Sequence, residues 1–198
     1  MVEAHVLGGR KARQAGFFPV VVAAIALMTT ASLAQEPAAS APDTNAAAIA
    51  QTQRVAVFPF ELVDSSLEGS MMGVNADETK RLAMMAPAMR KNFETLDGFE
   101  VMDSSAADEK VANVHLESCG NCGVTFARDL GADVVVLGTV QKVSNLILNI
   151  NAYVYDVASG EQIARGSADI RSNTDKSWQK GLEYLFENVL KTQIETRS

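Results

Sequence analysis

Between Arg54 and the C-terminus, apolar positions recur in two periods, and the changes from one to the other mark out the elements. Arg54–Phe60 reads as a first strand, closed by Pro59, which has no amide to give to a ladder. A polar loop rich in Gly and Ser follows from Asp64 to Gly73. Asn75, with Glu78 three residues on, then opens a helix whose stripe is Leu82, Met85, Met89, Phe93 and Leu96. Pro87 lies inside that stripe and predicts a kink or a break. Gly98 stops the helix, and Phe99–Met102 is a short second strand. Ser104–Val114 is weakly helical. A further helical face of Val124, Ala127 and Leu130 ends at Gly131.

Asp133–Val140 is almost continuously apolar, as a strand covered on both faces should be. The next strand alternates: Leu146, Leu148, Ile150, Ala152 and Val154 on one side, Asn149, Asn151, Tyr153 and Tyr155 on the other. Ser159-Gly160 turns the chain into a partner strand over Gln162–Arg171. There Ala164, Gly166, Ala168 and Ile170 oppose Arg165, Ser167, Asp169 and Arg171. Asn173 or Thr174 caps a last helix with Trp178, Leu182, Leu185 and Val189 on its stripe. The order β-α-β-α-β-β-β-α predicts an α/β fold: a mixed sheet of five strands packed by helices, its first strands joined by parallel crossovers.

Ahead of this domain the chain reads differently. Arg10, Lys11 and Arg13, the apolar run Phe17–Met28, and Ser32-Leu33-Ala34 make the three parts of a secretory signal peptide cleaved after Ala34. The apolar run is too short to span a bilayer, so no stable membrane insertion is expected once it is removed. Residues 35–53, rich in Ala, Pro, Ser, Thr, Asn and Gln, have too little to bury and are expected to be a disordered linker. Residues 54–198 are then one domain. The leader carries Glu3 against three bases, so its removal takes the formal charge from −7 to −9. An acidic surface argues against nucleic acid as a partner.

An exported chain with two cysteines, Cys119 and Cys122, invites three readings. The first is a structural disulfide, the usual fate of thiols in an oxidising compartment. The second is thiol–disulfide exchange, favoured by a cysteine at a helix N-terminus. It lacks the aromatic residue before the pair and the proline loop of thioredoxin-like proteins, since Ser118 precedes Cys119 and no proline follows Pro87. The third is a metal held by His115, Cys119 and Cys122, with Glu117 or Asp103 as a fourth ligand, but a second ligand pair at similar spacing is missing. No cofactor is expected. Neither a nucleophile elbow nor a phosphate-cradling glycine loop occurs, so the expectation is a protein without catalytic residues. The polar side of the hairpin (Asn149, Asn151, Tyr153, Tyr155, Arg165 and Arg171) is the candidate interaction face, because Tyr and Arg are enriched at interfaces. That holds if no helix covers it.

The strand Arg54–Phe60, the segment Leu130–Thr139 and the hairpin turn Tyr155–Glu161 occur in that order. In these motifs the chain resembles the periplasmic α/β domain shared by the curli secretion lipoprotein and the N-terminal part of TolB. It is most similar to a family of small secreted proteobacterial proteins without an assigned function. The resemblance covers residues 54 to 196. It departs from the curli protein in lacking a lipidation cysteine and pore-forming strands, and from TolB in lacking a propeller, so pore activity is not carried over. What the resemblance implies is a periplasmic accessory module that docks to cell-envelope proteins. An alcohol-oxidising quinoprotein system is one partner class associated with such proteins.

Overall fold

In the computed structural model, residues 52–197 are described; the expected signal peptide and nearly all of the expected linker lie outside them. The first strand already shows what the pattern could not. β1 (Gln53–Val57) starts one residue earlier than expected, and Pro59 interrupts the strand without ending its course. The chain re-enters the sheet as β2 (Glu61–Asp64), so the sheet has six strands and not five. Both β1 and β2 pair parallel with the same partner, β4 (Val134–Ser144). Val55 faces Val134 while Glu61 faces Thr139, so one extra residue is taken up between the two stretches. That residue reverses the alternation. Ala56 and Phe58 face one core, whereas Phe60 and Leu62 face the other. Phe60 packs so closely on Gly138 that a Cβ there would overlap its ring.

The expected polar loop Asp64–Gly73 instead starts on the last residue of β2 and holds a short helix, α1 (Leu67–Met72), capped by the Ser66 hydroxyl. α2 (Ala76–Phe93) starts at Asn75, whose side-chain oxygen accepts the amides of Asp77 and Glu78. It does not break at Pro87. Pro87 is solvent-exposed while Met85, Ala86, Met89 and Phe93 are buried, so the carbonyl that loses its amide partner faces water and packing holds the helix. β3 (Phe99–Val101) pairs parallel with β1. The weakly helical stretch is a 3-10 turn (Ser105–Ala107) leading into α3 (Asp108–Ala112). α4 (Cys122–Leu130) ends at Gly131, whose φ of 77° is the left-handed turn that favours glycine.

β4, β5 (Ile147–Asp156) and β6 (Gln162–Ile170) form an antiparallel meander, giving the order β3-β1-β4-β5-β6 with β2 also on β4. Leu146, expected on the buried side of β5, is exposed in the turn that precedes it. The C-terminal helix runs as α5 (Asp175–Leu185), a π segment (Phe186–Leu190) and α6 (Lys191–Glu195). Thr174 and Ser177 close its start in a reciprocal capping box. α2 and α5 cover one face of the sheet through the larger core, which holds Met89, Phe93, Ile150, Val154, Trp178 and Phe186. α5 comes close because its contact residue is Gly181, where a Cβ would strike Ile170. The opposite face carries a smaller core under α3 and α4, built on Ala56, Phe58, Val124, Ala127, Val135 and Leu137.

Candidate functional site

The last helix settles which side of the hairpin is closed. Leu148, Ile150, Ala152 and Val154 are buried in the core that Trp178, Leu182 and Leu185 of α5 complete. Asn149, Asn151, Tyr153 and Tyr155 consequently lie on the side of the smaller core, and all four remain half-buried. Register places them in a polar ladder. Asn149 faces Asp169, Asn151 faces Ser167 and Tyr153 faces Arg165. The Asn149 amide nitrogen donates to Asp169 Oδ1 (2.7 Å) and Ser167 Oγ (2.8 Å), and Ser167 Oγ donates back to Asn149 Oδ1 (3.0 Å). Asn151 donates to the hydroxyl of buried Thr139 on β4 (3.3 Å). These bonds fix the side chains in place, so the face is presented in one arrangement. Arg165 is exposed on the edge strand. Arg171 is exposed too, one residue past the end of β6, and is not part of the ladder.

Beside the ladder lies a cleft of about 250 Å³, between the two tyrosines and the loop that carries the first cysteine. Tyr153, Tyr155, Leu137 and Thr139 form one wall; Leu116, Glu117 and Gly120 form the other. Glu61 of β2 holds the loop, accepting the amides of Leu116 (2.9 Å) and Glu117 (3.2 Å) on its two oxygens. Burial, with Tyr153 alongside, pushes the Tyr155 hydroxyl above its ordinary pKa, so it is a neutral donor at any physiological pH. The cleft therefore offers two phenol hydroxyls, a carboxylate and an apolar floor. That set suits recognition of a side chain or peptide group.

Cys119 and Cys122 are joined in a disulfide with their Cα atoms 5.7 Å apart. Both are half-buried against the smaller core, and Cys122 is the first residue of α4. In this state neither sulfur is a thiolate available to a metal. His115 is largely exposed, with its Nδ1 3.8 Å from Glu61 Oε1. Among the described residues no group of three or more His, Cys, Asp or Glu is arranged to hold a metal ion.

A second polar centre escaped the sequence reading. Lys142 and Glu78 are each only 1% exposed, and Lys142 Nζ lies 2.6 Å from Glu78 Oε1. Asp64 (3.3 Å) and Glu68 (3.7 Å) complete its surroundings. Asn173, just ahead of α5, donates to Glu78 and accepts from Trp178 Nε1 (3.0 Å) and Arg81 (3.2 Å). Burial opposes the Lys142 charge, but the bonds to Glu78 and Asp64 outweigh it and leave its pKa raised. Burial likewise opposes the Asp64 charge, and Ser66 with Lys142 outweighs it, leaving that carboxyl lowered. A sequence signal existed. Lys142 continues the Val134, Val136, Val140 alternation, and Glu78 extends the Leu82, Met85, Met89 stripe by one turn. The centre ties β4, β2, α1, α2 and the start of α5 together and is fully paired, which marks it as structural.

A family model described as "Protein of unknown function (DUF2380)" matches residues 53–190. No curated protein matches the chain. Among solved structures it is similar to the LpoB C-terminal domain from Salmonella enterica (16% identity, TM-score 0.41, covering 62% of this chain and 84% of that one). It is also similar to TolB from Acinetobacter baumannii (10% identity, TM-score 0.40, 71% of this chain and 29% of TolB). A third is the PelC dodecamer from Paraburkholderia phytofirmans (13% identity, TM-score 0.37, 73% and 88%). The likeness to TolB expected from the strand and hairpin motifs is thus found. At such identities it says nothing of what the chain binds.

Proposed function

We propose that this chain, which belongs to the family described as "Protein of unknown function (DUF2380)", is a non-enzymatic accessory module of the cell envelope that docks to other envelope proteins through the polar side of its hairpin. The observation that carries the reading is the uncovered ladder of Asn149, Asn151, Tyr153 and Arg165 beside the tyrosine-lined cleft. A rigid, hydrogen-bonded surface with aromatic anchors at its centre loses little entropy when a partner orders on it. The envelope setting is supported by the leader read in residues 1–34. Among the described residues no helix is long and apolar enough to cross a membrane. Arg165 and Arg171 would flank the contact and steer an acidic partner surface. The family resemblance offers an alcohol-oxidising quinoprotein system as the first partner class to test.

The test is recovery of partners after cross-linking the tagged chain in its native envelope. Tyr153→Ala with Tyr155→Ala should reduce recovery by at least about ten-fold, the loss of an aromatic hot spot. Unchanged recovery removes this face, and a quinoprotein dehydrogenase missing from the wild-type eluate removes that partner class.

A second reading rests on Cys122 at the first position of α4, where free amides favour a thiolate. A reduction potential between about −200 and −120 mV would support thiol–disulfide exchange, and one below about −300 mV would make the bond an inert brace.

A further inference from the structure

α1 is a surface helix turned inside out. Its polar groups bind the protein and its apolar ones face water. Glu68 accepts from Asn145 and lies 3.7 Å from Lys142 Nζ, and the Ser66 hydroxyl accepts the Gly69 amide (3.0 Å). Meanwhile Leu67, Met71, Met72 and Val74 are 76%, 77%, 80% and 91% exposed. Across the Glu68–Asn145 bond, the end of β4, the turn after it and the start of β5 add Val143, Leu146 and Ile147, each at least half exposed. Val143 is there because the β4–β5 register shifts between Lys142 and Ser144. Most of the exposed large apolar side chains of the described residues therefore gather at this one end of the sheet. Single exposed apolar residues need no explanation; a contiguous patch does.

Behind α1 runs a groove of about 550 Å³, its apolar wall made by Leu62, Val74 and Leu82. We infer that this end of the molecule is a second docking surface, and that its occupant is an amphipathic helix of a partner protein whose apolar stripe is flanked by Lys or Arg. The groove suits side chains spaced at i, i+3/4 and i+7, and the exposed Met71 and Met72 on α1, outside the groove lining itself, add adaptable apolar surface next to it.

Charge selects this occupant over the others. Glu68 and Asp77 are the chain neighbours of groove-lining Gly69 and Glu78 and are partly exposed, Asp64 lies in the groove, and Lys80 at 3.3 Å answers only Asp77. Lys142 is buried and already surrounded by carboxylates. The rim is thus acidic. A second copy meeting this face about a two-fold axis would set Glu68 and Asp77 against themselves, and an anionic lipid surface would meet the same carboxylates. A basic amphipathic helix meets them with opposite charge.

The experiment uses the full chain and two 18-residue peptides, with Leu at helical spacing and either Lys or Glu at the remaining positions, read by fluorescence anisotropy. The Lys peptide should bind at least about ten-fold more tightly than the Glu peptide, and Leu67→Ser, Met71→Ser and Met72→Ser together should weaken it by about ten-fold. The triple variant leaves net charge unchanged, so undiminished binding to it would expose non-specific attraction to an acidic protein and overturn the inference. If that variant misfolds, Val74→Ser with Leu146→Ser should produce the same weakening. Equal binding of both peptides, or binding of neither, overturns it. So does a dimer in sedimentation, or binding to phosphatidylcholine vesicles, that disappears in the triple variant.

Discussion

At the scale of single residues, Lys142 carries the largest consequence. Its ammonium is 1% exposed against an equally buried Glu78, and removing one partner leaves the other as an uncompensated buried charge. Lys142→Met should cost about 3–5 kcal/mol in urea unfolding, and adding Glu78→Leu should restore much of it, because a well-packed apolar pair avoids the desolvation of two ions. Additive losses in the double variant would show that the two charges are not coupled. The same centre sets a pH window. Asp64 is lowered below its ordinary 3.8, so its contribution is present above that value and is lost as pH falls through the lowered one. Lys142 is raised above 10.5, so its contribution is complete below 10.5 and is lost as pH rises through the raised value. The urea midpoint of the wild type should therefore fall at both extremes, and the alkaline fall should shrink in the Lys142→Met, Glu78→Leu variant. Identical alkaline limbs would remove Lys142 from the explanation. Both residues are legible as polar members of apolar periodicities. Their pairing is not, because 64 positions separate them and only the tertiary fold brings Glu78 of α2 to Lys142 of β4.

Among the elements, β6 shows how an edge strand is kept from pairing with a neighbour. Gln193 of α6 donates its amide to the Arg165 carbonyl (2.8 Å) and accepts the Arg165 amide (3.2 Å), so a side chain stands in for the next strand. Gln193→Ala should lower stability by about 1 kcal/mol and should raise concentration-dependent self-association in sedimentation. Unaltered sedimentation would mean that the edge is protected in another way. α4 is braced by the disulfide at its first residue. Replacing Cys119 and Cys122 with Ser should cost about 2 kcal/mol, the closure entropy of so short a loop, with faster amide exchange confined to the loop and α4. Helices α2, α4 and α5 and strands β1, β3, β4, β5 and β6 were readable from their periods, since periodicity is a local property of the chain. β2 and α1 were not. Glu61–Asp64 is too short to show alternation, and its strand character comes from pairing with β4.

For the whole molecule, the decisive fact is that the two faces of the β5–β6 hairpin are treated unequally. The helix layer of α2 and α5 closes the side of Ile150 and Val154, and the side of Asn149 and Tyr153 is left for the smaller core, the cleft and solvent. The candidate face was visible residue by residue in the alternation, but its exposure was not, since either side of a strand offers the same pattern of spacing. The acidic apolar end around α1 was hidden for a related reason: Leu67, Met71 and Met72 look like ordinary core residues until the anchoring of Glu68 turns them outward. Local periodicity by itself determined the class of fold, the identity of most elements and the position of the cysteine pair at the start of α4. Tertiary structure alone decided the sixth strand, the buried Lys142 centre and which surfaces stay open. Those depend on contacts between residues far apart in the chain, and burial is a property of the packed layers and not of any one segment.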